Sequence, residues 1–471
     1  MNKKILLFTY ILFDCLAALL SWVFFFSFRK NNVDPTFLSH ISEVLMADYK
    51  LWLGCFIIPI YWLLLHTFVG YYKNVMRRSR LKELGTTITT TFIGSLVFFF
   101  LCILDDQVNS PYDYAKYFFF LLGAQFLLTY IPRVIITTWI INRLHQGKIV
   151  FRTLIIGSDA VAWETYQRVI KQNPSVKVVG FLSLPEESDR TLEKDVPCLG
   201  IIDDLKQVVE EQDIEELIIA IQNGKRKYIE NILSMVDPSK DLILNIIPQT
   251  QDLLVGAVRA SSVIHEPLMT IYSERLPVWQ LVLKRGMDIV LSTIAIVLLL
   301  PIYIILAIGV KCSSSGPIFY KQERIGRYGK PFKIIKFRSM YVNAETDKPL
   351  LSSKNDSRIT PFGKFLRKSH FDETPQFFNV LKGDMSLVGP RPERQYFIDQ
   401  IVKVAPYYKL LQSIRPGLTS WGQVKFGYAE NVEEMVERLR WDILYLENMS
   451  LSMDLKILIH TVLIVFKGSG K

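Results

Sequence analysis

Four long apolar runs open the chain, at about Ile5 to Phe28, Leu51 to Tyr71, Leu84 to Leu104 and Tyr117 to Ile141. Each is near the length of a spanning helix, because roughly 20 apolar residues cross the hydrocarbon core of a bilayer. The first is too long and too poorly terminated for a cleaved signal peptide. From about Val150 to Thr270 the period shortens. The β-rich runs Thr153 to Gly157, Val176 to Leu182 and Leu217 to Ile221 alternate with amphipathic helices, one of them reaching Lys171, which predicts an α/β, Rossmann-like domain. A fifth apolar run, Met287 to Val310, is charged only by Asp288 and is interrupted by Pro301, with Lys284 and Arg285 before it and Lys311 after it. Basic flanks at both ends and a proline within predict a re-entrant element that enters and leaves on one face. Ile457 to Phe466 is too short to span, and reads equally as an interfacial amphipathic helix or a buried core helix.

Charge gives the helices an orientation. Lys73, Arg77, Arg78, Arg80 and Lys82 crowd the second connection, whereas the third carries Asp105, Asp106 and Asp113 with only Lys116. The positive-inside rule then puts the amino terminus in the cytoplasm, and four crossings return everything after Ile141 to that side. Asp14 in the first span and Arg133 in the fourth lie at similar depth and are expected to pair, since an unpaired charge there is expensive. A proton or substrate route is the sharper reading of those two residues; it is set aside because no further charges continue it.

In the α/β region a dinucleotide fingerprint would want glycines at 157, 159 and 162, but only Gly157 is present, with Asp159 and Ala162 in the other places. Asp159 would face a pyrophosphate with like charge. A packing or regulatory module without bound nucleotide is therefore the favoured reading.

Composition agrees with a membrane protein that carries two further domains: 471 residues, half of them hydrophobic, with a mean hydropathy of +0.23. The net charge of +10 suits nucleic acid, anionic lipid headgroups or a phosphorylated substrate. Five widely spaced cysteines, three of them in apolar runs, point neither to a disulfide framework nor to a zinc site, in keeping with a reducing compartment.

The chemistry gathers after the fifth apolar run. Gly316-Pro317-Ile318-Phe319-Tyr320, Gln322-Glu323-Arg324-Ile325-Gly326 and Lys336-Phe337-Arg338-Ser339-Met340 supply clustered cations, with Lys336 and Arg338 as candidate phosphate ligands. Asp356, Arg358, Leu366-Arg367, Asp372-Glu373-Thr374-Pro375-Gln376, Gly383 to Pro392 and Arg415 to Thr419 follow. Pro375 suits the first turn of a helix, which would set Asp372 and Glu373 before a helix amino terminus that favours anions. Adjacent carboxylates repel unless a cation joins them, and magnesium takes carboxylate and phosphate oxygens together, so Asp372 and Glu373 are also candidate Mg2+ ligands. An ionised aspartate can attack phosphorus, and arginines such as Arg367 and Arg391 can neutralise the transferred phosphoryl oxygens. Singly, each motif is better explained as a helix cap or a headgroup contact. Their order and density reverse that weighing.

K-F-R-S-M, the D-E-x-P-Q box and G-D-M-S-L-V-G-P-R-P together resemble the bacterial sugar transferases, the monotopic phosphoglycosyl transferases that move a hexose 1-phosphate from a UDP-sugar to a polyprenyl phosphate. The resemblance covers about Leu283 to Lys471, and the preceding regions resemble the long members that begin exopolysaccharide, capsule or O-antigen assembly. It implies Asp372 as nucleophile, Glu373 as base or metal partner, Arg367 and Arg391 as phosphate ligands, and Met287 to Val310 as a helix-break-helix anchor. Thr374 stands where the family usually has Leu, and Ser420 with Gly422 replace the more usual Gly and Ala, which touches sugar or acceptor preference rather than the reaction.

The expected architecture is thus a four-helix transmembrane region over 1–145, a Rossmann-like α/β domain over 146–270, and an α-rich monotopic catalytic domain over 280–471 with its re-entrant helix at 287–310. The expected partners are a UDP-sugar, polyprenyl (undecaprenyl) phosphate and the bilayer, with no nucleic acid; a homodimer through the amino-terminal regions is allowed by the resemblance rather than required by it. The expected location is the bacterial inner membrane, with the catalytic domain cytoplasmic. An NAD-dependent nucleotide-sugar dehydratase or epimerase would need a Tyr-x-x-x-Lys pair, and Tyr112 to Lys116 falls in the acidic loop assigned outside. A catalytically dead assembly scaffold would not need Asp372, Glu373, Arg367 and Arg391 together.

Overall fold

The structure is a computed structural model describing residues 3–33, 48–73, 75–103, 111–185, 187, 190–221, 227–237, 242–247, 269–270, 276–342, 344, 349, 356–427 and 429–466. Asp105 and Asp106, on which part of the orientation argument rests, lie outside the described residues. The chain forms two compact units: residues 1–150 with 173–175 and 277–279, and the rest.

The first unit holds helices α1 (Lys3–Val33), α2 (Tyr49–Val69), α3 (Arg80–Phe98) and α4 (Pro111–His145), with a π-helical extension of α3 at Phe99–Ile103. Their ends are set locally. The side chain of Asp48 accepts the amide of Lys50 at the start of α2, Gly70 closes that helix in the left-handed region at φ 82°, and Ser79 caps α3 by accepting from Lys82. α1 packs against α2 and α4, and α3 against α4 and, less extensively, α2. Ala18, Phe25, Ile58, Trp62, Phe98, Tyr117 and Leu121 form the seam. Ile5, Phe8, Phe56, Leu64, Phe119 and Ile135 point outward, the pattern of a lipid-facing surface. With the long helix that begins at Val278, five helices among the described residues are long and apolar enough to cross a bilayer.

Arg133 grips Asp14 with two hydrogen bonds, Nε to Oδ1 at 2.7 Å and Nη2 to Oδ2 at 2.6 Å, both side chains being fully buried. Tyr72 donates to the same carboxylate at 2.8 Å. The Tyr71 ring lies against two guanidinium groups, Arg133 at 3.3 Å and Arg78 at 3.9 Å from its centroid. The premise that no further charges join this pair does not hold: Glu83 is fully buried with Arg78 Nη1 3.7 Å away, and His66 is buried beside Tyr71. Neighbours too far apart in sequence to be grouped by counting are brought together by the packing of α1, α2, α3 and α4.

In the second unit, β1 (Phe151–Ile156), α5 (Ala160–Gln172), β2 (Val176–Ser183), β3 (Cys198–Ile201), α6 (Leu205–Glu211), β4 (Glu216–Ile219), α7 (Lys227–Met235), β5 (Ile243–Ile246) and β6 (Met269–Thr270) build a sheet of order β3-β2-β1-β4-β5-β6. All neighbours are parallel except β5 and β6. This is the Rossmann strand order, with its switch point between β1 and β4. The central strands β1 and β4 are buried on both faces, hence their near-continuous Leu and Ile.

The turn after β1 explains the broken fingerprint. Gly157 has φ 124°, and a Cβ there would run into the carbonyl of Ala220. Asp159 caps α5 by accepting the amide of Ala162 at 3.1 Å. Glu187 reaches back into the turn, accepting from the Ser158 amide (3.0 Å), the Ser158 hydroxyl (2.8 Å) and the Leu184 amide (3.2 Å). The amide that would meet a pyrophosphate is thus held by the chain's own carboxylate.

α8 (Val278–Ser313) runs as one helix through Pro301, so the proline does not divide it into two. Its 36 residues extend about 54 Å at 1.5 Å per residue. After it come the antiparallel hairpin β7 (Phe319–Ile325) and β8 (Pro331–Phe337), α9 (Pro361–Lys368), α10 (Gln376–Lys382), β9 (Ser386–Val388), α11 (Gln395–Val404), β10 (Gly417–Thr419), α12 (Trp421–Lys425), α13 (Val432–Glu447) and α14 (Leu451–Phe466), with β9 parallel to β10. Both ends of α8 are tied to this region. Near its start Lys284 binds Asp454 at 2.6 Å, Arg285 donates to the carbonyls of Val380 and Leu381, and Asp288 accepts the Leu387 amide at 2.9 Å. Toward its end Tyr303 donates to the Thr374 carbonyl at 3.0 Å, and Leu306 and Val310 join Phe337 and Leu366 in one apolar cluster. Both readings of the last segment describe part of α14: Ile457 is buried against the Met385 and Val388 core, while Leu455, Ile459, Val462 and Leu463 are exposed.

Breaking a buried charge pair by removing one partner costs on the order of 3 kcal/mol or more. Asp14→Asn and Arg133→Gln should therefore each lower the unfolding midpoint in detergent, and the double variant should fall well short of their sum. Additive losses would show that the pair contributes nothing as a pair.

Candidate active site

The site is assembled on the edge of the β7–β8 hairpin. β8 alternates, so Lys336 sits opposite Tyr320 while Phe337 turns into the apolar cluster beneath. The buried Asn379 of α10 pins that helix to β8, accepting the Ile335 amide at 3.1 Å and donating to the Lys333 carbonyl at 2.8 Å. Asp372 and Glu373 lie in a single 3-10 turn, Phe371–Glu373, just before α10. His370 enters that turn at φ 57°, a left-handed conformation unusual for a residue other than glycine. The amides at the start of α10 are not free for an anion: Phe377 and Phe378 donate to the carbonyls of Thr374 and Pro375. Side-chain cations, rather than a helix terminus, make this place attractive to phosphate.

Those cations close on Glu373. Its Oε1 accepts from Lys336 Nζ at 2.6 Å and from Arg391 Nη2 at 3.2 Å. Arg367 hydrogen-bonds Ser339 Oγ at 3.0 Å and lines the same cavity, of about 490 Å3, as Asp372, Glu373, Lys336 and Arg391. Arg338 also lines the cavity, but its Nη2 donates to the Ser314 carbonyl at 2.6 Å, fastening the end of α8. Of the expected site residues, then, the structure gathers all six, with Arg338 turned largely to holding the anchor. Tyr112 and Lys116, weighed for a dehydratase, lie on α4, where Lys116 donates to Asn32.

The two carboxylates differ. Burial alone would raise Glu373, but Lys336 and Arg391 overcome it and hold the acid well below the usual carboxylate range. Asp372 is pushed up to about 6 by burial and by the neighbouring Glu373 charge, against the pull of Lys336, Arg367 and Arg391. Its carboxylate makes no hydrogen bond or ion pair among the described residues. One acid is therefore a fixed anion committed to the cations, and the other is a carboxylate on the cavity wall with no such commitment among the described residues.

The sequence did not single out Asn379, Glu393 or Arg438, and marked Arg324 only as one of the clustered cations. Buried Glu393 accepts from Arg324 Nη1 at 3.2 Å and Arg438 Nη2 at 2.6 Å, all three on the same cavity. The only sequence signal for Glu393 was its place directly after G-P-R-P.

A family model described as bacterial sugar transferase matches residues 279–468, and one described as CoA-binding domain matches 67–247. A UDP-N-acetylgalactosamine-undecaprenyl-phosphate N-acetylgalactosaminephosphotransferase of Aeromonas hydrophila is 38% identical over 224 residues, 48% of this chain and 52% of the relative. A UDP-glucose:undecaprenyl-phosphate glucose-1-phosphate transferase of Klebsiella pneumoniae is 36% identical over 271 residues, 57% of each chain. One of that same name from Xanthomonas campestris pv. campestris is 32% identical over 330 residues, 68% of each. The chain belongs to the bacterial sugar transferase family. The matches span about half the length of the first two relatives, 52% and 57%. The transferase match begins at 279, one residue into α8, so the anchoring helix is part of what the family shares.

If Glu373 raises its neighbour by like charge, Glu373→Gln leaves Asp372 facing cations alone and should move its titration midpoint down from about 6. With 13C-aspartate NMR, assigned by the signal lost in Asp372→Asn, an unshifted midpoint in Glu373→Gln would contradict this coupling.

Proposed function

We propose that the protein transfers hexose 1-phosphate from a UDP-sugar to polyprenyl phosphate, yielding a polyprenyl diphosphate sugar and UMP, as the first membrane step of exopolysaccharide, capsule or O-antigen assembly. The observation that carries this reading is the uncommitted Asp372 carboxylate in a buried cavity walled by Lys336, Arg367 and Arg391. An oxygen of Asp372 attacks the phosphorus that bears the sugar, the bond from that phosphorus to the bridging oxygen breaks, and UMP leaves with the bridging oxygen. A phosphate oxygen of the polyprenyl carrier then attacks the same phosphorus, and the bond to Asp372 breaks to restore the carboxylate. Lys336, Arg367 and Arg391 offset the charge on the phosphoryl oxygens. Glu373 holds Lys336 and Arg391 in place. One phosphoanhydride replaces another, so the reaction runs close to equilibrium.

Magnesium suits this donor set. Among the described residues no group of three or more His, Cys, Asp and Glu forms a metal site by itself, but Mg2+ commonly binds one or two carboxylates together with substrate phosphates. Asp372 and Glu373 would hold it, and the ion would neutralise diphosphate charge.

The site belongs on the cytoplasmic face, where UDP-sugars are available. Support comes from α8: its first and last thirds both contact the region that carries the site, whereas a helix of about 54 Å laid straight through a bilayer would part its ends by more than the membrane thickness. Ile294, Val297, Leu298 and Leu300 between those contacts are exposed and apolar, which suits a segment immersed in lipid. On this reading Asp372 lies at the headgroup level, where the carrier presents its phosphate while its chain stays in lipid.

Asp372→Asn should abolish UMP release, and brief exposure of the wild type to labelled UDP-sugar should leave phosphosugar on Asp372. Label elsewhere, with an active Asp372→Asn enzyme, would end the proposal. Because Asp372 attacks as the anion and its carboxyl is pushed up to about 6, UMP release should be steady above that pH and fall about tenfold for each pH unit below it. A profile flat down to pH 4.5 would contradict the assignment.

A further inference from the structure

The cavity is lined by more than the residues that would hold phosphate, and these further residues come from two different places along β7 and β8. The near end, around Pro317 to Tyr320 and Met340 to Val342, follows directly on α8, whose carboxyl end Arg338 fastens. The far end is reached along β7. Tyr320, Gln322 and Arg324 share one face of that strand, and Arg324 lies about 13 Å beyond Tyr320 in extended chain. There the wall changes from phosphate-binding cations around a nucleophile to a fixed guanidinium pair over an apolar floor. Glu393 binds both Arg324 and Arg438, and Gln322 Oε1 accepts from Arg324 Nη2 at 3.0 Å. Arg324 Nε is buried without a hydrogen-bond partner, a donor left over after Glu393 and Gln322 are served. Phe397 and Met435, both nearly fully buried, form the floor, and the small side chain of Ala429 stands at the edge.

We infer that this far end is the nucleoside subsite, with Arg324 and Arg438 hydrogen-bonding the ribose or base of the donor and Phe397 and Met435 taking the base face. The assignment rests on the transferase reading. The carrier lipid must keep its chain in the apolar phase and so approaches from the end beside α8; the water-soluble leaving group needs the end turned away from it. A nucleoside has a flat base, is largely uncharged and is rich in hydrogen-bond acceptors, which is what the unpaired Nε donor of Arg324 beside the apolar Phe397 and Met435 selects. The Arg324–Glu393–Arg438 chain also explains why an acid is buried in a cavity for polyanions: both its oxygens are covered by arginine, so it repels nothing while it fixes the donors.

Ala429→Phe fills the subsite from its edge without touching the arginines. It should raise the KM for UDP-sugar and the inhibition constant of UMP at least about tenfold, with the KM for polyprenyl phosphate unchanged. A rise in the polyprenyl phosphate KM instead would assign this end to the acceptor and overturn the inference. Should the variant not fold, the wild-type enzyme gives an independent answer: a 4-thiouridine analogue of the donor should crosslink to the peptides holding Phe397, Ala429 or Met435, and crosslinks confined to 317–344 would overturn the assignment. Wild-type enzyme that releases no UMP would sink the transferase reading itself, whereas UMP release with the wrong crosslinks sinks only the subsite.

Discussion

Two carboxylates on consecutive residues cannot both be buried and both remain ionised unless cations accompany them, and the whole catalytic region is arranged around that constraint. Glu373 is the member that is satisfied, by Lys336 from β8 and Arg391 from the loop after β9. Asp372 is left desolvated, beside a fixed like charge and without a partner of its own among the described residues. The same electrostatics make it a carboxylate able to meet an electrophilic phosphorus without first shedding a salt bridge. Asn379, which stitches α10 to β8, keeps acid and cations in register.

The anchoring helix is more than a tether. Lys284, Arg285 and Asp288 bind the elements that follow the dyad, and Tyr303 binds the carbonyl of Thr374 directly after it. The position of α8 and the position of Asp372 are therefore one mechanical variable. In the proposed reaction, between a water-soluble donor and a lipid-borne acceptor, such coupling fixes the depth at which the two substrates meet. The proposed subsites separate the two substrates along the cavity, with the lipid carrier beside α8 and the nucleoside at the arginine-lined end.

Elsewhere the chain uses buried charge for holding rather than chemistry. In the helical unit Arg133 and Asp14 satisfy each other, and the Tyr71 ring takes the two guanidinium groups on its faces. In the sheet region the Rossmann strand order is intact, yet Glu187 occupies the turn amide and hydroxyl of Ser158 where that fold ordinarily receives phosphate. The strand order and the phosphate function are thus separable: the first follows from buried β-strands, the second from a few backbone groups that this chain commits to itself.

Periodicity and residue type were enough for the spans, the parallel sheet and the chemical identity of the dyad, because those depend on local pattern: runs long enough to cross lipid, strands buried on both faces, and two adjacent acids among basic residues. The pairing of Asp14 with Arg133 was also legible, since depth in a span can be counted. Three things were not. α8 continues through Pro301 although a proline removes one helical hydrogen bond, which no local rule records. The role of Arg338 depends on where the end of α8 lands, and the far end of the cavity joins Arg324, Glu393 and Arg438 from segments distant in sequence. Only the tertiary structure decided which of two chemically similar acids is free and which is bound, because charge coupling falls off with distance in space and is blind to distance along the chain.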